Sequence, residues 1–164
     1  KAKFEAELAI QLEKMASSYA SRRLVRLRRK IRAKPAYGWG ACGGSYPFKI
    51  IKTQEKYIID PLPIFKQIVS ELKRREEKEK IAYQFHLTIA EMIRKMSLIL
   101  KKETRINTVV LSGGVFQNNL LLSSALDLLY REGFRVIRHK KLSCNDSAIS
   151  LGQAVISNFK PQKG

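Results

Sequence analysis

The chain has 164 residues, enough for one domain with a buried core, and 45% hydrophobic against 28% charged residues excludes a disordered polypeptide. Thirty-two Lys and Arg against 14 Asp and Glu give a formal net charge of +18, which bears on polyanionic partners and says nothing about fold. No stretch is long and apolar enough to span a membrane, and the acids inside KAKFEAELAI argue against a signal peptide.

In chain order, Phe4, Leu8, Leu12 and Met15 recur at helical spacing and predict a helix over 3–19. SRRLVRLRRKIRAK, residues 21–34, follows with Lys or Arg at eight of fourteen positions and no acid, and reads as a second helical stretch ending before Pro35. It is either an electrostatic footprint for RNA or for an acidic protein face, or a solvated basic helix. The absence of stacking aromatics among the arginines favours the solvated helix. YGWGACGGSYP (37–47), with four glycines, is a loop that holds Trp39 and Cys42. FKIIKTQEKYIID (48–60) reads as a hairpin turning at Thr53–Glu55, and Pro61 opens a helix running into the charged run near Lys80. A long helix is expected over 80–102, with Ile81, Phe85, Ile89, Met92, Ile93 and Met96 on its apolar side. The last third predicts strand 108–112, helix 117–131, strand 134–139 and helix 146–158, hence two parallel strands joined by a right-handed crossover. The class is α/β. Cys42 and Cys144 form no CxxC pair, so free thiols in a reducing, cytoplasmic setting are expected.

Chemistry concentrates at the two strand-to-helix turns, because ligands of open α/β sheets sit beyond the carboxyl ends of the strands. In VVLSGGVFQNNLLL (109–122), Ser112-Gly113-Gly114 interrupts an apolar run. Glycine permits positive φ and close approach of a ligand. The pattern is neither GxGxxG nor a P-loop, so on spacing alone the turn reads in preference as a tight connection with Gln117 or Asn118 capping the next helix. In SCNDSAISLGQA (143–154), Asn145, Asp146 and Ser147 are three good caps in a row, and an aspartate at this edge can instead ligate a hard cation. Gly152 inside the last helix suggests close packing against a neighbour. His86, beside Phe85 on an apolar helix face, reads as a packed, hydrogen-bonded histidine in preference to a ligand. His139 ends a strand at the ligand edge, where a basic rim continues into Lys140 and Lys141.

SGGVFQNN, GFRVIRHKKLSCND and SLGQA, in that order and spacing, resemble the C-terminal end of the HypF hydrogenase-maturation carbamoyltransferases. FEAELAIQLEKMA, AYQFHLTIAEMI and IIDPLPIFKQIV extend the similarity over nearly the whole chain. The resemblance implies that residues 1–164 form a single α/β lobe, the second half of a two-lobed domain with the actin and sugar-kinase type of ATPase fold, related to the tRNA threonylcarbamoyl transferases. It implies ATP or a similar nucleotide bound at Ser112, Gly113, Gly114 and Asn118, and a divalent metal held in part by Asp146. The metal-binding histidine pair would belong to a first lobe, and the carbamoyl group would pass to the C-terminal cysteine of a HypE-like acceptor. Half a nucleotide cleft and half a metal site are not expected to catalyse alone. The family usually has Asn-Asp-Gly-Gly where this chain has Asn145-Asp146-Ser147-Ala148, and a Glu-Gly-Gln-Ala-Ala pattern where this chain has Glu5-Ala6-Glu7-Leu8-Ala9. Two alternatives stay open: a lobe of a tRNA threonylcarbamoyl transferase-like protein, and a non-catalytic basic interaction module.

Overall fold

The computed structural model describes residues 7–30, 44–139, 144 and 149–159, with side chains through Arg23 in the first segment. The elements in chain order are α1 (Glu7–Lys30), β1 (Lys49–Lys52), β2 (Tyr57–Asp60), α2 (Leu62–Lys73), α3 (Lys78–Thr104), β3 (Thr108–Leu111), a 3-10 turn (Gly114–Gln117), α4 (Asn119–Arg131), β4 (Arg135–Arg138) and α5 (Ile149–Asn158). β1 and β2 form an antiparallel hairpin with Ile51 opposite Ile58. β3 and β4 pair in parallel, Leu111 opposite Arg138, with α4 as the crossover. The α/β class expected from the sequence is the one observed.

The two helical stretches expected at the N-terminus are one helix. Between Glu7 and Lys30 there is no Gly or Pro, and Ala, Leu, Lys and Arg all favour continuation. Of the basic stretch, residues 31–34 lie outside the described residues. α1 meets α3 through alanines: Ala16 and Ala20, one turn apart, are buried with Ala82, Tyr83 and Leu120. Small side chains let the two backbones approach closely, and the Tyr19 and Tyr83 rings tilt together with centroids 5.5 Å apart.

α2 begins where the sequence predicts, with Leu62 N–H donating to Asp60 Oδ1 at 2.9 Å and prolines in the first turn. It stops at Lys73, well short of the expected Lys80. The stop is a Schellman motif: Arg75 N–H donates to Leu72 O at 3.0 Å and Glu76 N–H to Glu71 O at 3.0 Å. The left-handed position is Arg75, with φ 57°, instead of the glycine that usually marks such an ending. α4 ends in the same geometry on Gly133, and Phe134 N–H donates to Leu129 O at 3.1 Å.

α3 carries the core. Its N-terminal part packs Ile81 against Ile64 and Tyr46. Ala82 and Tyr83 of the same part pack against α1, and Ala90 farther along joins Leu111, Leu121, Ala125, Leu129 and Phe134. Tyr46 anchors the end of the Gly-rich loop. Its N–H donates to Thr88 Oγ1 at 2.7 Å and its buried hydroxyl to Glu71 Oε2 at 2.8 Å. Burial first, then the Glu71 carboxylate, holds this phenol far above the usual tyrosine range.

Apolar surface remains open. Leu62, Phe65, Val69 and Leu72 line one exposed stripe of α2, and Val110 and Ile137 lie exposed side by side on the parallel pair. α5 is exposed along its whole length. Among the described residues the close packing expected at Gly152 is not observed, because a Cβ there would meet none of their heavy atoms within 4 Å outside its own helix backbone. Among the described residues no helix is long and apolar enough to cross a membrane.

Candidate functional site

The parallel register brings the carboxyl ends of β3 and β4 together, so the residues just beyond them, Ser112 and His139, become neighbours. Ser112 Oγ and His139 Nε2 are 3.0 Å apart, and both side chains are exposed. Gly113 then turns the chain with φ 104° and ψ 154°, a region that only glycine enters without strain. Of the glycine pair, the first needs to be glycine for conformational reasons; the second enters the 3-10 turn with ordinary φ. Gly113 N–H donates to the Cys144 carbonyl at 3.0 Å, which links the two strand-to-helix turns through backbone. Among the described residues, nothing lies within 4 Å of the position a Gly113 Cβ would occupy.

Asn118 is the N-cap of α4. Its Oδ1 accepts from Leu121 N–H at 2.8 Å, so of the two caps considered in the sequence the structure takes Asn118. Its Nδ2 lies 2.8 Å from His86 Nε2, and His86 Nδ1 lies 2.8 Å from the Ala82 carbonyl. His86 is buried and bonded through both nitrogens, as its place on an apolar face suggested. Glu13 of α1 reaches the same helix end, accepting from Asn119 N–H at 2.8 Å. Two N–H groups of the first turn of α4 are thus taken by the chain itself, and a carboxylate already sits at the positive end of the helix dipole. The Ser112–Val115 segment, one turn earlier, is exposed among the described residues.

Ser112, Gly113, Gly114 and Asn118 therefore lie on one connected turn at the sheet edge, while Asp146 lies outside the described residues, as do Asn145, Ser147, Ala148, Cys42 and Trp39. Among the described residues no three His, Cys, Asp or Glu side chains converge on a possible metal. The described residues do not make up a metal site by themselves. Three contacts escaped the sequence, that of His86 with Asn118 among them. Glu13 and Asn119 are 106 residues apart, and Ser112 and His139 are 27 apart, and only the parallel register hints at the second pair.

Residues 1–153 match the family described as the second subdomain of the Kae1-like domain of carbamoyltransferases. The chain belongs to this family. Carbamoyltransferase HypF of Synechocystis is 32% identical over 108 residues, which cover 66% of this chain and 13% of that protein. The probable carbamoyltransferase HypF of Methanocaldococcus jannaschii is 34% identical over 84 residues, 51% of this chain and 11% of that protein. A tRNA N6-adenosine threonylcarbamoyltransferase of Thermosipho africanus is 30% identical over 83 residues, 51% of this chain and 25% of that protein. The crystal structure of full-length HypF in its phosphate- and nucleotide-bound form superimposes with TM-score 0.74 at 35% identity, over 96% of this chain and 18% of that one. The structure of T. kodakarensis HypF, at 20% identity and TM-score 0.65, shares the fold. This subdomain thus spans a small fraction of the length of the HypF proteins it resembles.

Proposed function

We propose that this chain is the nucleotide-facing second lobe of a HypF-like carbamoyltransferase, acting in the cytoplasm in NiFe-hydrogenase maturation. The observation that carries the reading is the exit of β3. Gly113 holds a glycine-only conformation, on the turn that also carries Ser112 and Asn118, and no described residue lies within 4 Å of where its Cβ would be. The likeness to a phosphate- and nucleotide-bound HypF supports ATP or a related nucleotide as the occupant. In this reading Ser112 Oγ–H and the remaining N–H of the Asn118 amide donate to nucleotide oxygens, and His139 at 3.0 Å orients the Ser112 hydroxyl. Asp146 contributes to a divalent metal on resemblance alone, with the other ligands supplied by a first lobe. The carbamoyl group then passes to the terminal cysteine of a HypE-like acceptor, and the lobe does not catalyse by itself.

The test is calorimetric titration of ATP into the chain, with and without a divalent metal, repeated on Gly113→Val and Asp146→Ala. Metal-dependent binding lost in both variants is the expected result. No heat with saturating ATP, with the chain folded, sinks the autonomous nucleotide lobe.

A second reading is favoured by the charge of +18 and by the similarity to the Thermosipho tRNA-modifying enzyme: the basic helix docks RNA. Such binding weakens steeply with salt, because each neutralised phosphate releases counterions. Docking to a HypE-like protein depends instead on that partner's terminal segment and only weakly on salt. A flat salt dependence of RNA affinity rules out the RNA reading.

A further inference from the structure

His86 has a single consistent protonation pattern. Its Nδ1 faces the Ala82 carbonyl at 2.8 Å, and a carbonyl only accepts, so Nδ1 carries the proton. Asn118 Oδ1 already accepts from Leu121 N–H, so the NH2 end of that amide faces the ring. Nε2 is therefore bare and accepts from Nδ2. Reversing the amide would set Oδ1 against a bare Nε2 and NH2 against Leu121 N–H. An imidazolium would set two donors head to head. The chain Leu121 N–H to Asn118, Asn118 to His86 and His86 to Ala82 runs in one direction only, from the first turn of α4 into the buried side of α3.

We infer that His86 is a positioning residue that, together with Leu121 N–H, fixes which end of the Asn118 amide the turn presents. With Nε2 accepting one of the two N–H groups, the other N–H is the one left for a ligand, so the site presents a donor and selects an oxygen acceptor such as a phosphate or ribose oxygen. Nucleotide selection here rests on the nucleotide-lobe reading above, whereas the relay itself does not. Leu121 N–H holds the amide at its Oδ1, and His86, 32 residues away in sequence and on a different helix, holds it at its Nδ2. His86 touches no ligand.

The experiment uses the ¹⁵N-labelled chain and two readouts. The first is the ring-nitrogen signature of His86, which is told apart from the chain's other histidine, His139, by a His139→Asn variant. The expected result is a protonated Nδ1 and a bare Nε2. Asn118→Asp retains a good cap but offers no N–H to Nε2, so it shifts the ring proton to Nε2 or adds a second one. An Nε2-protonated ring in the wild type, or a signature unmoved by Asn118→Asp, overturns the relay. The second readout is nucleotide affinity, measured well below each variant's melting temperature. His86→Leu weakens it by about tenfold, and His86→Gln, whose Oε1 can accept from Asn118, restores it to within about threefold. Unchanged affinity in His86→Leu, or no rescue by His86→Gln, overturns the selection role, because a purely structural histidine changes melting and not affinity. If the wild type binds no nucleotide, the selection role falls with the nucleotide reading, and the ring-nitrogen signature alone decides the relay.

Discussion

Tyr46 and Gly113 show how single residues hold the lobe in shape by opposite means. Tyr46 is held by what it touches: its buried hydroxyl donates to Glu71 Oε2, and Gln67 Nε2 donates to the other carboxylate oxygen at 3.2 Å. Tyr46→Phe leaves that buried oxygen without its donor, at a cost of roughly 1–3 kcal/mol in urea unfolding. The phenol is raised above its ordinary value, so its contribution is full below about pH 10 and is lost as pH rises through the folded value. The stability gap between wild type and Tyr46→Phe should therefore be constant through neutral pH and narrow only in strong alkali. A gap that already narrows near neutrality would contradict this. Gly113 is held by what it lacks. A Cβ there meets no atom, so Gly113→Ala isolates backbone strain, and it should lower stability by roughly 1–3 kcal/mol without any packing defect. Equal stability of the two proteins would mean that the turn relaxes to another conformation.

At the scale of elements, the helix ends are the informative places. α2 and α4 stop in the same Schellman geometry, one on Arg75 and the other on Gly133. Arg75 bears the Cβ penalty of the left-handed region and Gly133 does not. Arg75→Gly should stabilise the chain by roughly 0.5–1 kcal/mol, and Gly133→Ala should destabilise it by about 1 kcal/mol, both read by thermal unfolding. Stabilisation by both glycine-ward and alanine-ward changes would refute the assignment. The hairpin is tied to the far end of α3 by Glu103, which accepts from Lys52 Nζ and from the Tyr57 hydroxyl. The Lys52 hydrogen bond, then the Tyr57 one, holds the Glu103 carboxyl below the usual range. A depressed carboxyl stabilises above its unfolded pKa and loses that contribution as pH falls through the folded one. In Glu103→Gln the acid-unfolding curve should consequently be shallower, and an unchanged curve would show the pair to be solvent-screened.

For the molecule as a whole, the open apolar surface and the missing length of its relatives belong together. The stripe Leu62, Phe65, Val69 and Leu72 has helical spacing and no cover among the described residues, α5 is exposed among them throughout, and the matched stretch spans 13% of the Synechocystis HypF. An apolar face at helical spacing ordinarily packs against something. Exchanging Phe65 and Val69 for Lys should change thermal stability within about 0.5 kcal/mol, since neither is buried here, while lowering self-association seen by light scattering. A large loss of stability would mean that the stripe is buried within this chain.

The sequence by itself determined what is local and periodic. Strand 108–112, its successor at 134–139 and the helix between them were legible from β-branched runs, helical spacing and Gly133. The family was legible from SGGVFQNN and the segments after it, because glycine turns and caps leave letter-level marks. The helix break at Arg75 was not legible, since a left-handed arginine writes no signal into composition. Nor were the contacts that define the site: Glu13 on the start of α4, His139 beside Ser112, and His86 on the Asn118 amide. Each joins residues far apart in the chain, and each depends on the packing of α1 on α3 or on the parallel register of β3 and β4. Propensity acts within a few residues, whereas the direction of a hydrogen bond between helices is fixed only once their separation and rotation are. The tertiary structure alone placed a buried histidine read as core against the Asn118 amide.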